Sequence, residues 1–245
     1  MTGKESDSLR AAFDRDGYVV APLFGPAEVG LIRAFALDWV GGLMQEANGG
    51  PLRGSLADYH KWGAGTAINH GAVLAARNRH RAPQGEIRDV LLGESVWQAL
   101  RAVAPDADIS DWDEGLGWVG FRLVRPGHGD GYPWSCKAWG PAKTVLSLWI
   151  PVIGHGPNET IALWPGSHRQ EHKSYLPENS KFTKDELRLE TPPKPGEIVR
   201  PVLAPGEAVI FGPRTIHSED VEVGEVTRLN LEMRFATTRP ERPAR

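Results

Sequence analysis

A mainly β fold supported by N-terminal helices is what this sequence predicts, on three observations. After Asp113 the chain breaks into short strand-like runs punctuated by glycine and proline. Before that point apolar residues recur at helical spacing. Turn formers are abundant, 28 Gly and 20 Pro in 245 residues, which suits many short elements. Consecutive strands without intervening helices cannot form a parallel βαβ sheet, so a sandwich, a jelly roll or a barrel remains.

Ser6 or Ser8 is expected to cap a helix over 6–16 that carries Leu9, Ala12 and Phe13 and stops at Gly17. The run Tyr18 to Phe24 reads as a strand. Pro26 suits the first position of a helix continued by Val29, Ile32, Phe35, Ala36 and Trp39, ending at Gly41-Gly42. From Gly41 to Gly85 a long Gly-rich excursion embeds Tyr59, His60, Trp62, Asn69 and His70, residues that would wall a pocket if it folds over a barrel mouth. One amphipathic helix is expected over 86–103, closing a helical support of about 6–112. The expected strands are Trp118–Arg125, Thr144–Val152, Thr160–Trp164, Ile198–Leu203, Ala208–Phe211, Thr215–Val221 and Val226–Phe235, in a β core of about 116–236. Lys181–Glu190 reads as a helix or lid, and 238–245 as a frayed tail.

Composition narrows the function classes. At this length a single core can bury roughly 70–75% of the unfolded chain's surface, so 1–245 is expected to be one domain. The net charge of −3 argues against an extended nucleic-acid or anionic-membrane surface. The single cysteine, Cys136, excludes an intrachain disulfide framework. Neither a membrane-length apolar run nor a secretory signal is present. The expectation is a cytoplasmic protein whose partner is a small molecule, with no nucleic acid, membrane or obligate protein partner.

Titratable residues cluster in the β half. His128 and Asp130 stand two apart, so on a strand both project to one face. Should His217 add a third donor, two imidazole nitrogens and one carboxylate would leave three positions open, an arrangement suited to non-haem Fe(II). A hairpin turn centred between Glu222 and Val223 would set His217 opposite Arg228, whose guanidinium could then grip a carboxylate beside the metal. Strand 228–235 alternates cleanly, Arg228, Asn230, Glu232 and Arg234 on one face and Leu229, Leu231, Met233 and Phe235 on the other, which suits a polar interior and a helix-covered exterior. His168 and His172 stand four apart and could share a metal on a helix, but the Pro-Gly-Ser-His turn that ends at His168 more often positions backbone. Trp134, Lys137, Trp139, Lys143 and Arg234 are candidates to orient a polar or anionic substrate.

The order Asp16-Gly-Tyr-Val-Val-Ala-Pro-Leu-Phe24, His128-x-Asp130, Leu146-Ser-Leu-Trp-Ile-Pro151, Trp164-Pro-Gly-Ser-His168, Leu203-Ala-Pro-Gly-Glu-Ala-Val-Ile-Phe211, His217 and Arg228 resembles the phytanoyl-CoA dioxygenase family of Fe(II)/2-oxoglutarate oxygenases. The resemblance covers roughly residues 9–235. It implies a double-stranded β-helix, cupin-like, with Fe(II) on His128, Asp130 and His217 as the catalytic centre and the 2-oxoglutarate C5 carboxylate on Arg228. It also implies O₂ as cosubstrate, release of succinate and CO₂, and oxidation of a small polar metabolite such as a natural-product intermediate. Related halogenases lack the carboxylate ligand, so Asp130 points to hydroxylation or another oxidation and away from halogenation. Desaturation, oxidative ring closure and a catalytically idle metabolite- or metal-binding barrel stay open as alternatives. The sequence also departs from the family's pattern, with glycines framing the His-x-Asp pair and Asn158-Glu-Thr-Ile161 ahead of the Pro-Gly-Ser-His turn.

Overall fold

A computed structural model describes residues 1–48, 54–64, 70–77, 85–111, 119–128, 130, 132–136, 145–177, 187–219 and 224–238. Helix α1 (Gly3–Asp16) starts earlier than Ser6, because Thr2 is its cap: Thr2 Oγ1 accepts from the Glu5 N–H while Glu5 accepts from the Thr2 N–H at 2.6 Å. It ends as expected at Gly17, whose φ of 82° closes the last turn. Strand β1 (Tyr18–Pro22) and helix α2 (Pro26–Asn48) follow. The helix runs straight through Gly41-Gly42. Two helix-interior glycines cost about 2 kcal/mol together, but Leu43 and Met44 beyond them are buried, and burying such a side chain contributes roughly 1.5–3 kcal/mol.

The expected loop excursion is partly helical. A 3₁₀ segment, Leu56–Ala64, and helix α3 (His70–Arg77) bury Leu56, Tyr59 and Val73 in the main core. The single helix expected over 86–103 is two, α4 (Glu86–Leu91) and α5 (Glu94–Val103), because extended backbone at Gly93 interrupts it.

The main sheet runs β1, β8 (Glu207–Phe211), β4 (Val145–Ile153), β10 (Arg228–Thr238) and β2 (Asp108–Asp111), all antiparallel. β3 (Val119–Val124) shares one edge of β10 with β2: β3 takes Arg228 to Met233 and β2 takes Phe235 to Thr238. The region expected to be helical support therefore supplies two sheet strands. β2 escaped notice because Asp and Ser are poor strand formers. β10 extends through Thr238, while 239–245, the rest of the expected tail, lie outside the described residues.

A second layer is assembled from short pieces. β9 (His217–Ser218) pairs with β5 (Ala162–Leu163) and is bridged on its other side by Ser135. Leu189 N–H donates to the Trp134 carbonyl, which brings β7 (Arg188–Leu189) and its partner β6 (Ser174–Tyr175) alongside. So the end of the expected 181–190 helix is strand, with 178–186 outside the described residues. The strand expected over 198–203 is reduced to a Val199–Leu163 bridge, since Pro201 has no N–H to give a ladder.

Leu229, Leu231, Met233 and Phe235 are fully buried on the outer face of the main sheet against α2 and α5, where Ile32, Ala36, Val40 and Val96, Leu100, Val103 present apolar stripes. Trp149, Val209, Phe211, Ile161 and Leu163 fill part of the space between the layers. Among the described residues no helix is long and apolar enough to cross a membrane.

Candidate functional site

Beyond β3 the chain turns at 126–128 and runs beside β9, so the residues after Val124 lie at one end of the space between the layers. Asp130 is bound there by its neighbour. Arg125 donates to its carboxylate through Nε (2.6 Å), Nη2 (2.8 Å) and the backbone N–H (3.0 Å). His70 Nε2 stands 3.6 Å from the same group, and Tyr59 Oη lies 2.9 Å from His70 Nδ1. Burial pushes the Asp130 carboxyl up, but the Arg125 bonds and the nearby His70 outweigh it and hold the group below its ordinary value. Burial raises the Tyr59 phenol to about 12, so at neutral pH it is a donor. His128 is exposed, its Nδ1 2.7 Å from the Pro126 carbonyl.

His217 points into the space between the layers, because it is directly opposed to Leu163 and to Ser135, and opposed residues share a face. Its ring lies 4.7 Å from that of Phe211 and its Nδ1 is 2.9 Å from the Thr215 carbonyl. Glu219, nearly buried, accepts from Trp149 Nε1 (2.7 Å) and Asn230 Nδ2 (3.2 Å) and pairs with Arg122 Nε. Arg228, also buried, donates to the Glu159 carbonyl at 3.2 Å. The segment Leu56–Ala64 covers this end: Ala57 O accepts from Thr227 N–H, and His60 N–H donates to Thr227 Oγ1 at 3.1 Å, one residue before Arg228. Tyr59, His60 and His70 thus stand at the mouth, whereas Asn69 and the Trp62 side chain lie outside the description.

Among the described residues His217 and Arg228 are not paired. Arg228 is opposed to Val124 and His217 to Leu163, because β10 has both edges taken within the main sheet and leaves none for β9. Trp134 turns away from the interior into a small apolar cluster with Cys136, Leu189, Ile216 and Trp164. Arg234 shares the inner face with Arg228 but pairs with Glu232 at 3.2 Å. Lys137, Trp139 and Lys143 lie outside the described residues. Four interior or mouth residues were not anticipated: Arg122, Arg125, Ser135 and Glu219. Glu219 stands two after His217, so a period-two reading of that strand would have found it.

In both His128 and His217 the Nδ1 faces a backbone carbonyl, which leaves Nε2 with the lone pair, the tautomer a metal-binding imidazole adopts. The third donor does not fit as placed. Both Asp130 oxygens already accept from Arg125, and the residue set beside His217 is Ser135. Among the described residues no group of three or more His, Cys, Asp or Glu could hold a metal ion.

Solved structures resemble this architecture along nearly its whole length. SnoN, an epimerase in complex with Fe3+, alpha ketoglutarate and nogalamycin RO, aligns at a TM-score of 0.60 and 18% identity, over 96% of this chain and 84% of its own. ThoJ, a non-heme monooxygenase in its apo form, aligns at 0.58 and 15%, over 94% and 77%. EvdO2 from Micromonospora carbonacea var. aurantiaca, complexed with 2-oxoglutarate, aligns at 0.55 and 16%, over 100% and 95%. The fold is a double-stranded β-helix. No protein-family model matches the chain, and no curated protein matches it in sequence.

Proposed function

We propose that this chain is an Fe(II)/2-oxoglutarate-dependent oxygenase of the phytanoyl-CoA dioxygenase type that oxidises, by hydroxylation, a small polar metabolite. The observation that carries the class is the fold: the β-helix matches, over nearly the whole chain, proteins solved with iron or with the cosubstrate. In this reading His128, Asp130 and His217 hold the metal and Arg228 anchors the far carboxylate of 2-oxoglutarate. Bound iron would supply oxidation of a C–H bond with O₂. The protein's share is an interior covered at one end by 56–64, two imidazoles in the ligating tautomer, and a buried guanidinium for a carboxylate. In the arrangement described, Asp130 would have to leave Arg125 before it could hold the metal.

That same clamp favours a second reading, a metal-free barrel that binds a metabolite without oxidising it. One experiment separates the two. Anaerobic protein with Fe(II) and saturating 2-oxoglutarate is expected to develop a weak visible charge-transfer band and, on admitting O₂, to release succinate. His217→Ala and Asp130→Ala are expected to abolish both signals, and Arg228→Ala to weaken 2-oxoglutarate binding. Folded wild-type protein giving neither band nor succinate would leave the binding reading standing.

A further inference from the structure

Tyr132 lies on the segment inserted between β9 and β7, and it is held firmly. Its carbonyl accepts from the Glu219 N–H at 2.9 Å and from Ser218 Oγ at 2.8 Å. Two guanidiniums from different layers meet at its ring: Arg122 of β3, 4.9 Å from the centroid, and Arg188 of β7, 5.4 Å from it. Like charges do not gather on one ring without a reason. A cation–π contact contributes only about 0.5–2 kcal/mol.

Among the described residues the carboxylates at this end are already engaged, Glu219 with Arg122 itself, and none of them with Arg188. Glu219 pairs with Arg122 and takes two further donors, Asp130 is gripped by Arg125, and Glu232 pairs with Arg234. Arg188 Nη1 is out of water and, among the described residues, has no hydrogen-bond acceptor. A donor in that condition costs about 1–3 kcal/mol, and native structures rarely leave one unmet unless an ion, a water or a ligand meets it. The guanidinium fork matches carboxylate and phosphate oxygens, and an anion with several oxygens could reach both cations at once.

We infer that Arg188 and Arg122, gathered on Tyr132, form an anion-binding subsite for a carboxylate- or phosphate-bearing part of the small-molecule ligand, separate from the anchor proposed at Arg228. The subsite rests on the barrel interior being the ligand site, and it does not require the metal. Its substrate class is accordingly an acid or a phosphate ester.

The test uses the full-length, metal-free protein with inorganic phosphate and malonate as probes, titrated calorimetrically. Wild-type protein is expected to bind at least one of them, phosphate preference marking a phosphate ester and malonate preference a carboxylate. Arg188→Met, which keeps length and loses charge, is expected to weaken that binding about tenfold or more, the effect of losing one charge-assisted pair. Arg188→Lys should recover part of it. Arg188→Gln replaces Arg188→Met if the latter loses its circular dichroism spectrum. Failure of both probes to bind wild type, or equal binding by the charge-removing variant, would overturn the subsite. Anion binding without succinate release would reject the oxygenase reading alone, and succinate release with unaltered anion binding in the variant would reject the subsite alone.

Discussion

Arg125 and Asp130 are five residues apart and joined by side chain and backbone, so the turn between them is fastened at both ends. The sign of its pH dependence follows from the carboxyl. Because the folded-state value lies below the unfolded one, the clamp's contribution is complete above the unfolded value of about 3.9 and is lost as pH falls through the depressed folded value. In Arg125→Ala, burial is opposed only by the backbone N–H of residue 125 and by His70, so the Asp130 carboxyl rises relative to wild type and the slope flattens. We expect metal-free Arg125→Ala to be less stable than wild type at pH 7 by about 2–3 kcal/mol, the worth of a charged hydrogen-bonded pair, and the gap to narrow only as pH falls below about 4. Urea unfolding across that range checks this, and a gap that does not change with pH would contradict it. The sequence showed Asp130 as a carboxylate near a histidine but not what it would touch. A carboxylate that can ligate a metal and one that can close an arginine-held turn look the same in sequence, and only the position of Arg125 at the end of β3 distinguishes them.

At the scale of elements, strand and helix periodicities carried most of the fold, and contacts distant in sequence overrode them where they failed. Gly41-Gly42 reads as a stop, yet the buried Leu43 and Met44 beyond it carry α2 onward. Glu219 to Glu225 reads as a hairpin, yet β3 and β4 occupy both edges of β10 and send β9 to the other layer. The alternation of 228–235 survived because a half-buried strand imposes period two whatever it pairs with. The turn after β4 is where element and site meet. Gly154 has φ 76°, and a Cβ there would lie 2.4 Å from the Thr227 carbonyl, immediately before Arg228. Gly154→Ala is expected to destabilise the protein by more than about 1 kcal/mol, lowering the melting temperature by at least about 2 °C. An unchanged melting curve would show that the turn tolerates the side chain.

For the whole molecule, the helices are part of the sheet's core and not an accessory to it. The outer face of the main sheet buries Leu148, Ile150, Ile210, Leu229, Leu231, Met233 and Phe235, and β1 supplies the strand beside β8. A chain beginning at residue 105 keeps nearly all of the expected β core but exposes that face, forfeiting roughly 1.5–3 kcal/mol for each large side chain returned to water. We expect it to be aggregated or unfolded by circular dichroism and size-exclusion chromatography. A monomeric, cooperatively melting fragment would contradict this.

The pairing of β10 has a consequence for biogenesis. It is the seam that joins β2 and β3 on one side to β4 on the other, and each of them leaves the ribosome before it does. Until that last strand emerges, three earlier strands wait with open backbone edges and an uncovered Leu- and Phe-rich face. Completion of the main sheet therefore waits on translation of β10.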